Sequence, residues 1–143
     1  MSLIRYKTFA ILGVFIIILL ILTIYSQQMK REELQNELSK VELKEIRIGA
    51  GTSKGELGTA IFGIISNNGE RTIKIATMRV EFFDEAGESS TVNKFFPVNN
   101  FSFSDPAALE PGNSKEFGFP IDEIVPENWG GNIKYWLIDL KFK

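Results

Sequence analysis

The sequence predicts a mainly β protein: an antiparallel β-sandwich preceded by one N-terminal transmembrane α-helix that continues into a short stalk helix. Three observations predict it. Residues 8–25 hold 15 apolar side chains and no charge. Residues 44–143 alternate short apolar runs with Gly, Pro and Asn punctuation, and no second amphipathic helix interrupts them. The 143 residues suffice for one core of ordinary size. The expected boundaries are a tail over 1–7, the membrane helix over 8–25, a stalk over 26–43 and the sandwich over 44–143.

The uncharged run is the first element. At 1.5 Å per residue its 18 residues make a helix of about 27 Å, close to the hydrocarbon thickness of a bilayer. A lone segment must pair every backbone polar group in lipid, so it crosses as a helix despite its β-branched Ile run. Tyr6 and Tyr25 bracket it, as interfacial aromatics do. No small-x-small cleavage signal follows, so the expectation is an uncleaved anchor. Arg5 and Lys7 precede the span without an acid, whereas Lys30 and Arg31 follow beside Glu32 and Glu33. This bias, with the short tail, puts the N-terminus in the cytoplasm and the domain outside it, in a periplasmic or extracellular space. Ala10 and Gly13 are the small notches where another helix could pack closely.

The stalk is rich in helix formers and free of Gly and Pro. Leu34, Leu38 and Val41 are spaced four and three apart, one apolar stripe on a charged helix. That stripe suits self-association, packing on a partner helix or contact with the chain's own domain.

The period then changes to that of strands. Ile46 and Ile48 alternate with polar residues before the run over 49–53, expected as a break. Residues 59–65 form an apolar strand, and Asn67, Asn68 and Gly69 form a turn. Residues 72–84 form a long strand whose apolar phase slips near Ala76 and Thr77, as a β-bulge causes. A turn at Gly87, a strand over 90–98, an irregular stretch over 99–113 and a strand over 115–121 follow. After a loop containing Trp129, residues 133–142 close the sheet, with Trp136, Ile138, Leu140 and Phe142 expected on one face. Short strands at this spacing indicate a β-sandwich.

Gly63 and Asn67 form a Gly-x-x-x-Asn strand end. Val80, Phe82, Phe83 and Asp84 then close a strand before Gly87, and Leu109, Pro111 and Gly112 precede Phe117. Together these resemble the FxLYD family over residues 43–142. The resemblance implies an extracytoplasmic immunoglobulin-like β-sandwich, often anchored to a membrane, without catalytic residues to carry over. Val80 and the Phe82 and Phe83 pair depart from the family's own motif residues.

The inventory limits the chemistry. There is no His and no Cys, which removes disulfides, thiol redox chemistry, His/Cys zinc sites and Ser-His-Asp triads. Asp84, Glu85 and Glu88, and again Asp122 and Glu123, fall at expected turns without a calcium-loop pattern. Residues 26–143 carry 14 basic and 18 acidic side chains with no basic stripe, which argues against nucleic acid. No catalytic, metal or cofactor site is expected. Phe95, Phe96, Phe101, Phe103 and Trp129 form the candidate interaction surface, with packing under a long loop as the other reading. The expectation is a non-enzymatic, single-pass membrane protein that presents its sandwich for interaction or assembly, an accessory subunit of a membrane complex being one form of it. Its partners would be the bilayer and a protein or second copy, reached through helix, stalk or sandwich. The alternative is a cell-envelope ligand-binding or sensor module using the Phe-rich loop and Trp129.

Overall fold

The structure, a computed structural model, describes residues 3–53 and 55–143, with side chains from Ile11 onward except at Ser53. Ala10, expected as a packing notch, and Tyr6 have their side chains outside the described residues. The chain divides into two compact units, one ending at Asn36 and the other running Glu37–Lys143.

Helix α1 spans Leu3–Leu38. Every large apolar side chain from Ile11 to Tyr25 is exposed. The helix is long and apolar enough to cross a bilayer. Within the apolar run the Thr23 hydroxyl donates to the Leu19 carbonyl at 2.8 Å, so its polar group is paired inside the helix.

The helix stops at Leu38, short of the expected stalk end at 43. Strand β1, Val41–Ser53, begins three residues later. Val41 therefore does not belong to the stalk stripe: it is buried and pairs with Asn67. Good helix formers continue through this region, but burying Val41 and Leu43 and pairing the backbone outweigh propensity. The Asn68 N–H also donates to the Lys40 carbonyl at 2.8 Å, which fixes the chain just before the strand.

The remaining strands are β2 (Glu56–Asn67), β3 (Ile73–Asp84), β4 (Ser89–Asn99), β5 (Ser114–Pro120) and β6 (Trp129–Phe142). They form two three-stranded antiparallel sheets in the orders β1-β2-β5 and β4-β3-β6. Ile61 of the first sheet and Met78, Val80, Phe82 and Phe95 of the second share one buried cluster. Phe95 meets Phe119 across it, ring centroids 5.1 Å apart. The two sheets thus face each other over a single core.

Two bulges set which side chains reach that core. Glu45 takes a positive φ of 53° where the β1 register shifts, so Leu43 and then Ile46 and Ile48 all pack inward. The slip near Ala76 and Thr77 is present on both sides of β3. Opposite it, Leu140 faces the core whereas Trp136 faces out, so the expected single apolar face of β6 is split. Residues 49–53 extend β1 instead of breaking it. The Phe62 ring lies against Gly51, where a Cβ would press on the ring, so an aromatic covers the glycine backbone.

Gly63 and Asn67 have physical roles. A Cβ at Gly63 would run into the Ile46 side chain and the Phe117 ring, both packed on the core. Asn67 is 1% exposed. Its amide donates to the carbonyls of Arg71 (2.9 Å) and Leu109 (3.0 Å), and its side-chain oxygen accepts the Gly69 N–H (3.0 Å). Its backbone bonds Gly112 and Asn113. The base of the sandwich, where β1 begins, is held together here.

Asn67→Ala is expected to lower stability by about 2–3 kcal/mol in urea denaturation, because it strands buried backbone groups. Asn67→Asp keeps the acceptor but turns an anion toward two carbonyls, which raises the folded carboxyl pKa. Its loss relative to the parent should therefore be small below about pH 4 and grow as pH rises toward the raised folded pKa.

Candidate interaction surfaces

The five aromatics of the expected surface do not form one patch. Phe95 is buried, because it stands opposite Met78 on the inward side of β4. Trp129 is half-buried, edge-on to Phe82 at 5.9 Å, and its indole N–H donates to the Asn132 carbonyl at 3.0 Å. Both belong to the core and its rim. Phe96, next along β4, turns outward and is 44% exposed. Phe101 and Phe103, in the loop after β4, are 71% and 108% exposed. Leu34 and Leu38 are half-buried on α1, and the space a Cβ at Gly13 would enter is open.

Phe96 joins a larger surface on the outer face of the β4-β3-β6 sheet. Arg79 stands abreast of Lys94 on one side and Trp136 on the other. Its guanidinium lies over the Trp136 ring, 5.3 Å from the centroid, and donates to Glu81 at 3.0 Å. Lys134 sits over the Phe83 ring at 5.0 Å. Val92 and Trp136 remain substantially exposed. Aromatic rings, three cations and one carboxylate thus share a face, the composition in which binding hot spots concentrate. The sequence signal was present: Arg79, Glu81 and Phe83 alternate outward, and Lys134 and Trp136 do the same. Grouping Trp136 with Leu140 across the bulge concealed it.

The loop over 99–113 is pinned at both ends. The Asn100 N–H donates to the Lys74 carbonyl and Leu109 bonds Ile73 in both directions. Lys115 pairs with Asp105 at 2.8 Å. That ammonium, with the Ala107 N–H, holds the Asp105 carboxyl below its ordinary range. Between the pinned ends, Phe101 and Phe103 project into solvent.

At the opposite end of the sandwich, a cavity of about 560 Å³ lies beside Phe62, Gly51, Gly118 and Pro120, with Asp122 and Glu123 at its rim. Asp122 is already engaged: both its oxygens accept the Thr59 N–H, at 2.9 and 2.8 Å. The Asp84 carboxylate likewise accepts the Glu88 N–H and shapes the turn before it.

A family model described as a protein of unknown function, DUF2393, matches residues 3–134. The chain belongs to the DUF2393 family. The match begins with α1 and runs into β6, so the DUF2393 unit takes in the apolar helix and both sheets. The chain matches no curated protein and no solved structure.

The split among the aromatics has a direct test. Phe95→Ala should cost about 3–4 kcal/mol through the cavity it leaves. Phe101→Ser and Phe103→Ser should each change stability by less than about 0.5 kcal/mol, as surface substitutions do. Thermal or urea unfolding of the three variants measures both.

Proposed function

We propose that this protein is a non-enzymatic, single-pass membrane-anchored module whose sandwich docks a protein partner in the same membrane system. The observation that carries the reading is the outer face of the β4-β3-β6 sheet. Phe83, Phe96 and Trp136 lie there among Arg79, Lys94 and Lys134, with Glu81 as the acid paired to Arg79. An Arg and Trp pair already stacked is pre-ordered for a partner and loses little side-chain freedom on binding. Anchoring adds to this: a surface held to one membrane meets membrane-bound partners at high effective concentration.

The remaining parts of the reading have their own support. An uncharged helix flanked by Arg5 and Lys7 favours a cytoplasmic N-terminus and a domain outside the cytoplasm. Leu34 and Leu38 on α1, and the open notch at Gly13, offer further contacts for a second copy or for a complex in which this chain is an accessory subunit. Kinship with FxLYD-type immunoglobulin-like modules belongs to the same proposal, supported by the roles of Gly63 and Asn67. A ligand-binding or sensor reading is favoured by one feature, the cavity beside Phe62, whose size falls in the range of small-molecule sites.

Native mass measurement after gentle detergent extraction tests the proposal. The parent chain is expected in an assembly larger than one copy, and Trp136→Ala with Phe96→Ser should release it while leaving unfolding unchanged. A parent chain that is a lone monomer contradicts the proposal. Protease treatment of spheroplasts, whose cytoplasmic membrane is sealed and whose outer envelope is opened, should degrade the sandwich; protection would reverse the orientation.

A further inference from the structure

We propose that the loop carrying Phe101 and Phe103 is a second membrane contact, inserting its two rings into the lipid surface from which the domain is tethered. The inference rests on the membrane-anchor part of the reading above but not on a protein partner.

The topology places this loop at one defined end of the sandwich. The chain arrives at Lys40 and Val41, which bond Asn68 and Asn67. Asn67 bonds Gly112 and Asn113, and Ile73 bonds Leu109, so the loop's C-terminal limb lies at that same base. Its N-terminal limb leaves β4 where Asn99 pairs with Ile75, again at the base. The loop therefore stands at the end of the sandwich where the chain enters at Lys40 and Val41. From Tyr25 to its last residue, Leu38, α1 runs thirteen residues, about 20 Å. A tether of that length bounds how far the base can stand from the lipid surface.

The chemistry is polarised along the same axis. Residues 99–104 are Asn, Asn, Phe, Ser, Phe and Ser, with no charge to desolvate. Phe103 is fully exposed and Phe101 largely so. The far end instead carries Glu85, Glu88, Asp122, Glu123 and Glu127 in its connections and Glu56 at the start of β2, against the single cation Lys54 that the sequence puts between β1 and β2. An anionic leaflet repels that end, whereas the tip over 99–104 carries no charge for it to repel and Asp105 is neutralised by Lys115. Two apolar rings on a pinned loop, at the end where the chain enters and opposite an acidic end, fit a lipid interface.

The absence of cysteine makes the test direct. The full chain is reconstituted in phosphatidylcholine vesicles, repeated with anionic lipid added, carrying a nitroxide at Ser102→Cys, Glu123→Cys or Ile18→Cys. Accessibility to oxygen against a water-soluble nickel chelate reports depth. Ile18→Cys checks that the helix is in the bilayer. The proposal expects a lipid signature at Ser102→Cys, an aqueous one at Glu123→Cys, and loss of the first when Phe101 and Phe103 are both Ser. An aqueous Ser102→Cys above a buried Ile18→Cys overturns it. So does shielding that appears only with spin–spin broadening as the protein-to-lipid ratio rises, which would assign the loop to a second copy. Because no other protein is present, neither result bears on the partner surface of the β4-β3-β6 sheet.

Discussion

The end of the sandwich where the chain enters depends on one buried amide. Asn67 sits at the close of β2 with almost no exposure, and its three side-chain hydrogen bonds join the turn over 67–73 to the segment over 109–113. The Gly69 N–H and the Arg71 carbonyl lie where the chain reverses, outside any strand ladder; the Leu109 carbonyl, which also accepts the Ile73 N–H, gains a second donor. Left without a partner, those two part-buried groups would each cost a noticeable fraction of a domain's marginal stability. A side chain with two donors and an acceptor on the same planar group meets this demand. Val41 can then pair opposite Asn67, and the long loop returns to β5 with its ends fixed. Where the chain enters and where Phe101 and Phe103 project both follow from that node.

The core above this base obeys a simpler rule. Inward positions from all six strands fill or pack on one cluster, and glycine appears where a ring must lie close to backbone, as Phe117 does over Gly63 and Phe62 over Gly118. The outward positions are then free to carry other chemistry. On the β4-β3-β6 sheet they carry stacked cations and aromatics; on the connections of the far end they carry carboxylates. A domain with a net acidic composition thereby presents one face of mixed aromatic and basic character. Composition alone does not reveal such a face, since it is a matter of register.

Legibility in the sequence followed the range of the interactions involved. The apolar helix was readable because eighteen uncharged residues need no partner to interpret. The turns at Asn67 and Gly87 and the slip near Ala76 were readable because local geometry dictates them. The end of α1 was not, since residues 39–43 leave the helix only to pair with a strand more than twenty residues away. Residues 49–53 looked like a break because a glycine-rich strand is covered by Phe62 from its neighbour. Likewise, Phe95 and Phe96 are adjacent and chemically identical, and only the pairing with Met78 decides which is core. The outward surface of β6 was missed because a bulge separates Trp136 from Leu140, and a bulge on one strand shows only against its partner.

A sandwich follows an apolar helix, and the β4-β3-β6 face is the partner surface proposed for it. The chain has two tryptophans, which provide an internal comparison: Trp129 packs on Phe82 at the core's rim, whereas Trp136 lies on the outward face. Oxidative footprinting of both, in native membranes and after purification to a single copy, tests the central claim most directly. The account predicts that Trp136 is shielded in the membrane and reactive once isolated, while Trp129 reacts alike in both. Equal reactivity of Trp136 in the two states would contradict it.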